Sequence, residues 1–129
     1  LGFIGAGLTT GSVSDFMIKT AEIKISLPPE QLFIRGIFCN ILVCLAVWCT
    51  FRLKTETSKL IMIFWCLFAF VTSGFEHSIA NMGIFSITYF ASGDVSLPLV
   101  FCNLFWVTLG NMVGGGVLLA LPLKFMSME

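Results

Sequence analysis

Apolar positions in this chain fall in long unbroken blocks separated by short polar stretches, without the alternation of a half-buried strand. Residues 1–13 (LGFIGAGLTTGSV) are apolar and rich in small side chains, with Gly7-x-x-x-Gly11. That is too short for the roughly 20 residues a membrane-crossing helix needs, so the block reads as the tail of one. Residues 14–30 are polar, carrying Asp15, Lys19, Glu22, Lys24, Glu30 and the Pro28-Pro29 pair. Within them DFMIKTAEI predicts a short interfacial helix, which the prolines end. Residues 31–51 form a full span, with Arg35 near its start, where a long side chain can snorkel, and Asn40 further in. A hydrophilic turn, RLKTETSK, covers residues 52–59, and a turn with Asp94 covers residues 92–96. The last span is residues 97–125, with Gly110-Asn111 and Gly114-Gly115-Gly116 in its middle. Gly110-x-x-x-Gly114 permits close helix approach.

The block at residues 60–91 is different. A straight helix of that length, at about 1.5 Å per residue, overshoots a hydrocarbon core of roughly 30 Å. Ser73-Gly74 lies near its middle, which predicts two half-helices joined by a break. Irregular backbone at that depth is tolerated only where protein or a water-filled cavity satisfies it.

Composition sharpens this picture. The 129 residues are 57% hydrophobic and 11% charged, against about 25% charged in soluble domains, so the expected class is an all-α, multi-pass membrane protein. A net charge of +0 argues against nucleic-acid binding, which wants a basic face. Cys39, Cys44, Cys49, Cys66 and Cys102 all sit in apolar blocks, and an odd number so placed is no disulfide framework. They read as small apolar residues. One histidine leaves no zinc cluster, so no metal or cofactor is expected. Leu1 begins inside an apolar stretch without a charged leader region, so the chain reads as starting in mid-helix. Arg52, Lys54, Lys59 and Lys124 share one side of the predicted spans, and the Asp94 turn has no Lys or Arg. The positive-inside rule puts that basic side in the cytoplasm.

The candidate chemistry sits at the predicted break, in G-F-E-H-S-I-A-N-M, residues 74–82. Ionisable groups at membrane depth are expensive and mark functional sites. Phe70, Ser73, His77 and Asn81 recur at three- and four-residue intervals, so a helix places them on one stripe: ring, hydroxyl, imidazole, amide. Such a stripe suits a narrow path with a hydrophobic gate and a polar station. Glu76 lies about 100° away and faces protein. A lone histidine on an apolar face is commonly a packing residue, and Trp65, Phe70 and Phe75 are more often packing than gate. The conjunction of a break, a Glu-His pair, and Asn40 and Asn111 in two other spans tips the balance toward transport. Asn40 and Asn111 are candidates to cap the half-helices, with Glu76, Ser73 and Gly74 supporting the break.

On these residues the chain resembles the formate/nitrite transporter family. The strings that carry the resemblance are G-I-F-C-N-I-L-V-C-L-A-V-W (36–48), S-G-F-E-H-S-I-A-N-M (73–82) and L-G-N-M-V-G-G-G (109–116). The resemblance covers essentially all of the chain and only the second half of a family member. It implies an aquaporin-like bundle of two inverted halves, each with an interrupted helix, assembled as homopentamers with one pore per subunit. It also implies that His77 is the central pore histidine, Lys24 a vestibule lysine and Phe70 the aromatic of the outer constriction. Asn40, Asn81 and Asn111 match family asparagines near the pore or the breaks. Residues 83–97 lack a clear family signature.

The function implied by the resemblance is a channel or transporter for small monovalent anions of weak acids in the inner membrane, formate or nitrite first, with hydrosulfide as the alternative. Lys24 gathers the anion, which takes up a proton from solvent or by way of His77 and passes Phe70 as the neutral acid. His77 acting only as a hydrogen-bonding or polarising group remains equally open. A competing class is a membrane-embedded acid–base enzyme built on Glu76 and His77. Against it, Ser78 lacks a spacing that favours attack, and no nucleophile–base pair can be assembled. A purely structural membrane subunit would explain the glycines but not the buried ionisable residues.

Overall fold

A computed structural model describes residues 11–92 and 95–126. The helix tail expected at residues 1–13 (all but its last three residues), Asp94 and Glu129 lie outside the described residues. Among those described, every element is helical.

Helix α1, Ser12–Ile25, ends with Lys24 in its last turn, where a cation faces the negative end of the helix dipole. Pro28-Pro29 stops the chain and restarts it, because Pro at the first helical turn gives up only an N–H that has no partner there anyway. Helix α2 then runs from Pro29 to Arg52. Helix α3, Glu56–Thr72, opens on Thr55, whose side chain accepts the Ser58 N–H. Helix α4 spans Ser78–Ser92. Helix α5, Leu97–Met112, passes without interruption into a π-helical stretch, Val113–Ala120, and then into α6, Leu121–Met126. Pro29–Arg52 and Leu97–Met126 are each long and apolar enough to cross a membrane. Helices α3 and α4, with 17 and 15 residues, reach only about 25 and 22 Å. Neither matches a hydrocarbon core by itself.

The bundle is organised around α2 against α5 and its π-helical continuation. Small side chains make this possible. At Gly110 an added Cβ would run into the Phe33 carbonyl oxygen, and at Gly114 into that of Ile37, so the backbones touch where any larger residue would part them. Asn40 Nδ2 donates to the Asn111 carbonyl at 2.6 Å, just where the α-helical winding of α5 gives way to the wider turn.

Helix α1 contains the expected short helix and extends beyond it. It is longer than DFMIKTAEI and stands against α4 and α5, with Ala21 buried and the Thr88 hydroxyl donating to the Met17 carbonyl. Residues 14–30 therefore do not lie apart from the bundle; their helix carries Lys24 to the level of the break. Apolar side chains such as Phe16, Phe51, Phe90 and Phe125 cover the outer surface, as befits a chain whose surroundings are lipid or further protein.

Candidate functional site at the interrupted helix

The interruption occupies residues 73–77. Helix α3 ends when Gly74 takes φ +64, a left-handed conformation that glycine adopts without steric cost. The Gly74 N–H turns back to the Val71 carbonyl at 3.2 Å and the Phe75 N–H to that of Phe70 at 3.3 Å. Phe75 is held against α2 by stacking on Phe38, with centroids 5.6 Å apart. The chain re-enters a helix at Ser78.

One side chain satisfies most of what the break exposes. Asn111 Oδ1 accepts from both the Ser78 N–H and the Ser78 hydroxyl at 3.1 Å. Its Nδ2 donates to the carbonyls of Gly36 at 2.9 Å and Glu76 at 3.1 Å. The peptide groups on either side of His77 are therefore clamped by a single amide from α5. Asn40 does not meet the half-helix itself; it braces the Asn111 main chain.

His77 is the N-terminal cap of α4: its carbonyl accepts from the Asn81 N–H at 2.9 Å and its Nδ1 from the Ile79 N–H at 3.3 Å. With Nδ1 occupied as an acceptor, the neutral ring carries its proton on Nε2 and presents a donor there. The Phe70 ring meets the imidazole edge-on, with centroids 6.3 Å apart, and both side chains are half-buried.

Glu76 points the other way and is 2% exposed. Its two oxygens each accept from Lys24 Nζ at 2.8 Å, and Oε2 also accepts from Asn81 Nδ2 at 2.6 Å. Asn81 Nδ2 donates as well to Asn103 Oδ1 at 2.9 Å, and Asn103 Nδ2 to the Lys24 carbonyl at 2.9 Å. Reversing the Asn81 amide would aim its oxygen at a carboxylate, so its orientation is fixed. The result is a buried network from three helices and the break, in which cation and anion cancel.

These positions alter two expectations. Asn81 does not share a stripe with Phe70, Ser73 and His77: Ser73 is exposed and Asn81 fully buried. The break interrupts helical phase between them, and Glu76 and Asn103 draw the amide inward. Lys24 is not a free vestibule cation, because Glu76 neutralises it. Asn103 escaped the sequence reading, although it is another amide in an apolar block, the same signal that singled out Asn40 and Asn111. The acid–base enzyme also loses its pair: Glu76 accepts from Lys24 and Asn81 and makes no hydrogen bond to His77, and the Ser78 hydroxyl donates to Asn111.

A sequence model described as formate/nitrite transporter matches residues 1–125. The chain belongs to the formate/nitrite transporter family. Its relatives include the nitrite transporter NirC of Escherichia coli (strain K12), 45% identical over 106 residues, which cover 80% of this chain and 39% of NirC. Among solved structures, an FNT family ion channel superposes with a TM-score of 0.85 at 39% identity, over 95% of this chain and 49% of that one. A pentameric formate channel with formate bound gives 0.75 at 32% identity, over 88% and 52%. The chain thus spans less than half the length of the curated relative it matches. Its fold is that of an all-α membrane protein, and this family's named members are transporters and channels, not enzymes.

Proposed function

We propose that the complete protein conducts small monovalent anions of weak acids, formate or nitrite, across the inner membrane as a homopentamer, with proton linkage through His77. The observation that carries this reading is the interrupted span itself. Its histidine is held beside an aromatic ring, and the carboxylate next to it is buried and paired with Lys24. The names of the relatives support the choice of anion: one is a nitrite transporter and another a formate channel with formate bound.

Desolvating a bare anion at such a constriction costs, in the idealised limit, on the order of 20 kcal/mol. A neutral acid of the same size avoids most of that. Loss of water raises an acid's pKa, so the anion takes up a proton as it enters, from solvent directly or by way of His77 in its protonated form; the neutral ring offers Nε2–H only as a hydrogen-bond donor. Phe70 then passes the uncharged species. Uptake of radiolabelled formate and of nitrite into proteoliposomes, measured against external pH, tests this. Wild-type protein should show uptake that rises as the medium is acidified, and His77→Phe should flatten that dependence. A His77→Phe protein that keeps the wild-type pH profile removes the histidine from the mechanism. Faster wild-type flux of hydrosulfide than of either oxyanion would reassign the substrate within the same family.

A further inference from the structure

Once Lys24 is neutralised, the positive charge at the break has to come from somewhere else. Three charged side chains meet there: Lys24 and Glu76, which cancel, and Arg35, about 9 Å into α2 from Pro29 at 1.5 Å per residue. Among the described residues Arg35 makes a single long hydrogen bond, from a terminal guanidinium nitrogen to the Gly74 carbonyl at 3.5 Å. Among the described residues no carboxylate lies within ion-pairing distance of it. A guanidinium has five N–H donors in a planar fork, so nearly all of its hydrogen-bonding capacity is unspent. Its side chain is partly exposed, and its place is fixed by neighbours. The next residue, Gly36, offers its carbonyl to Asn111, and Phe38, one turn on, stacks on Phe75. The cation therefore stands over the left-handed residue that opens the break.

We propose that Arg35 is the anion-recruiting residue of this site and that its fork selects planar anions with two oxygens. The inference rests on the transport reading above and adds to it a residue and a selection rule. Formate and nitrite each present two oxygens in one plane, the geometry a guanidinium grips bidentately; hydrosulfide offers one atom. A lysine ammonium supplies the same charge without the fork, which separates the two contributions experimentally.

The test uses the full-length protein in liposomes, with formate and nitrite as probes at several ionic strengths. Arg35→Gln should raise the half-saturation concentration for both anions by more than about five-fold, the effect of one charge acting across about 4 Å of water with the loss of the fork added to it. It should also flatten the salt dependence of uptake while leaving the maximal rate near wild type. Arg35→Lys should restore the salt dependence and recover only the part of the half-saturation value that charge alone carries, leaving the part that the fork adds. If Arg35→Gln does not assemble, Arg35→Lys decides alone, since an unchanged half-saturation there overturns the fork. An active Arg35→Gln protein with wild-type half-saturation and salt dependence overturns recruitment by Arg35 while transport stands. Wild-type liposomes passing neither anion would instead defeat the transport reading, and this one with it.

Discussion

Replacing Glu76 by Gln removes one charge and almost no volume, so its effect isolates the electrostatics of the buried network. The side chains of the ion pair are 3% exposed for Glu76 and 16% for Lys24. The carboxylate accepts three contacts, two from Lys24 and one from Asn81, all between 2.6 and 2.8 Å. An amide has a single acceptor oxygen, so at least one of the three is lost, and its NH2 group is turned toward another donor. Removing one member of a buried pair costs about 3–5 kcal/mol, because the remaining charge is left uncompensated. The residual exposure of Lys24 brings the expected loss toward the lower limit, about 3 kcal/mol. Unfolding midpoints of the purified protein in detergent measure it. The decisive variant is the double one, Lys24→Met with Glu76→Gln, in which no charge is stranded. It should recover at least about half of the loss, giving a coupling energy above roughly 1.5 kcal/mol in a double-mutant cycle. A Glu76→Gln protein within about 1 kcal/mol of wild type, or additive single changes, would mean that the pair does not hold α1 to the break.

Two further changes probe the scaffold. Asn111→Ala leaves the Ser78 N–H and the carbonyls of Gly36 and Glu76 without their partner. It should cost about 2–4 kcal/mol and speed amide hydrogen exchange around residues 76–79, and protection equal to wild type would count against the clamp. Gly110→Ala drives a methyl group into the Phe33 carbonyl and should abolish the assembled species on gel filtration. Gly116→Ala, where an added Cβ meets nothing within 4 Å, should behave as wild type and serves as its control.

The break was legible because two independent features coincide at residues 73–77: a run too long for one helix, and Ser-Gly beside the only Glu-His pair. Composition made the membrane class plain for a similar reason, since so few charges leave no other environment for that much apolar surface. The partnerships were not legible. Lys24 and Glu76 are separated by 52 residues, and periodicity within one element carries no information about such a contact. The stripe assigned to Phe70, Ser73, His77 and Asn81 did not carry across the break, because helical spacing holds only while the helix does, and Ser73 is exposed where Asn81 is fully buried. In residues 14–30 polarity marked the connection but not its packing: Ser14 and Ala21 supply the small buried face that meets the bundle, and two small residues among charges carry no such signal.

An ion pair this deep calls for an explanation other than stability, because apolar residues of the same size would hold α1 at least as well. What apolar residues cannot do is fix register. The Lys24 ammonium finds two acceptors only when the last turn of α1 stands opposite Glu76, and Asn103 meets the Lys24 carbonyl only in that same setting. Sliding α1 by a turn would strand both charges in an apolar interior. The network thus ties the position of α1 to the conformation of the break, from which His77 takes its place between two peptide groups clamped by Asn111. Recruitment and passage then need not share a residue. A paired lysine fixes the frame, and on the proposed reading Arg35 supplies the field and the imidazole meets the acid.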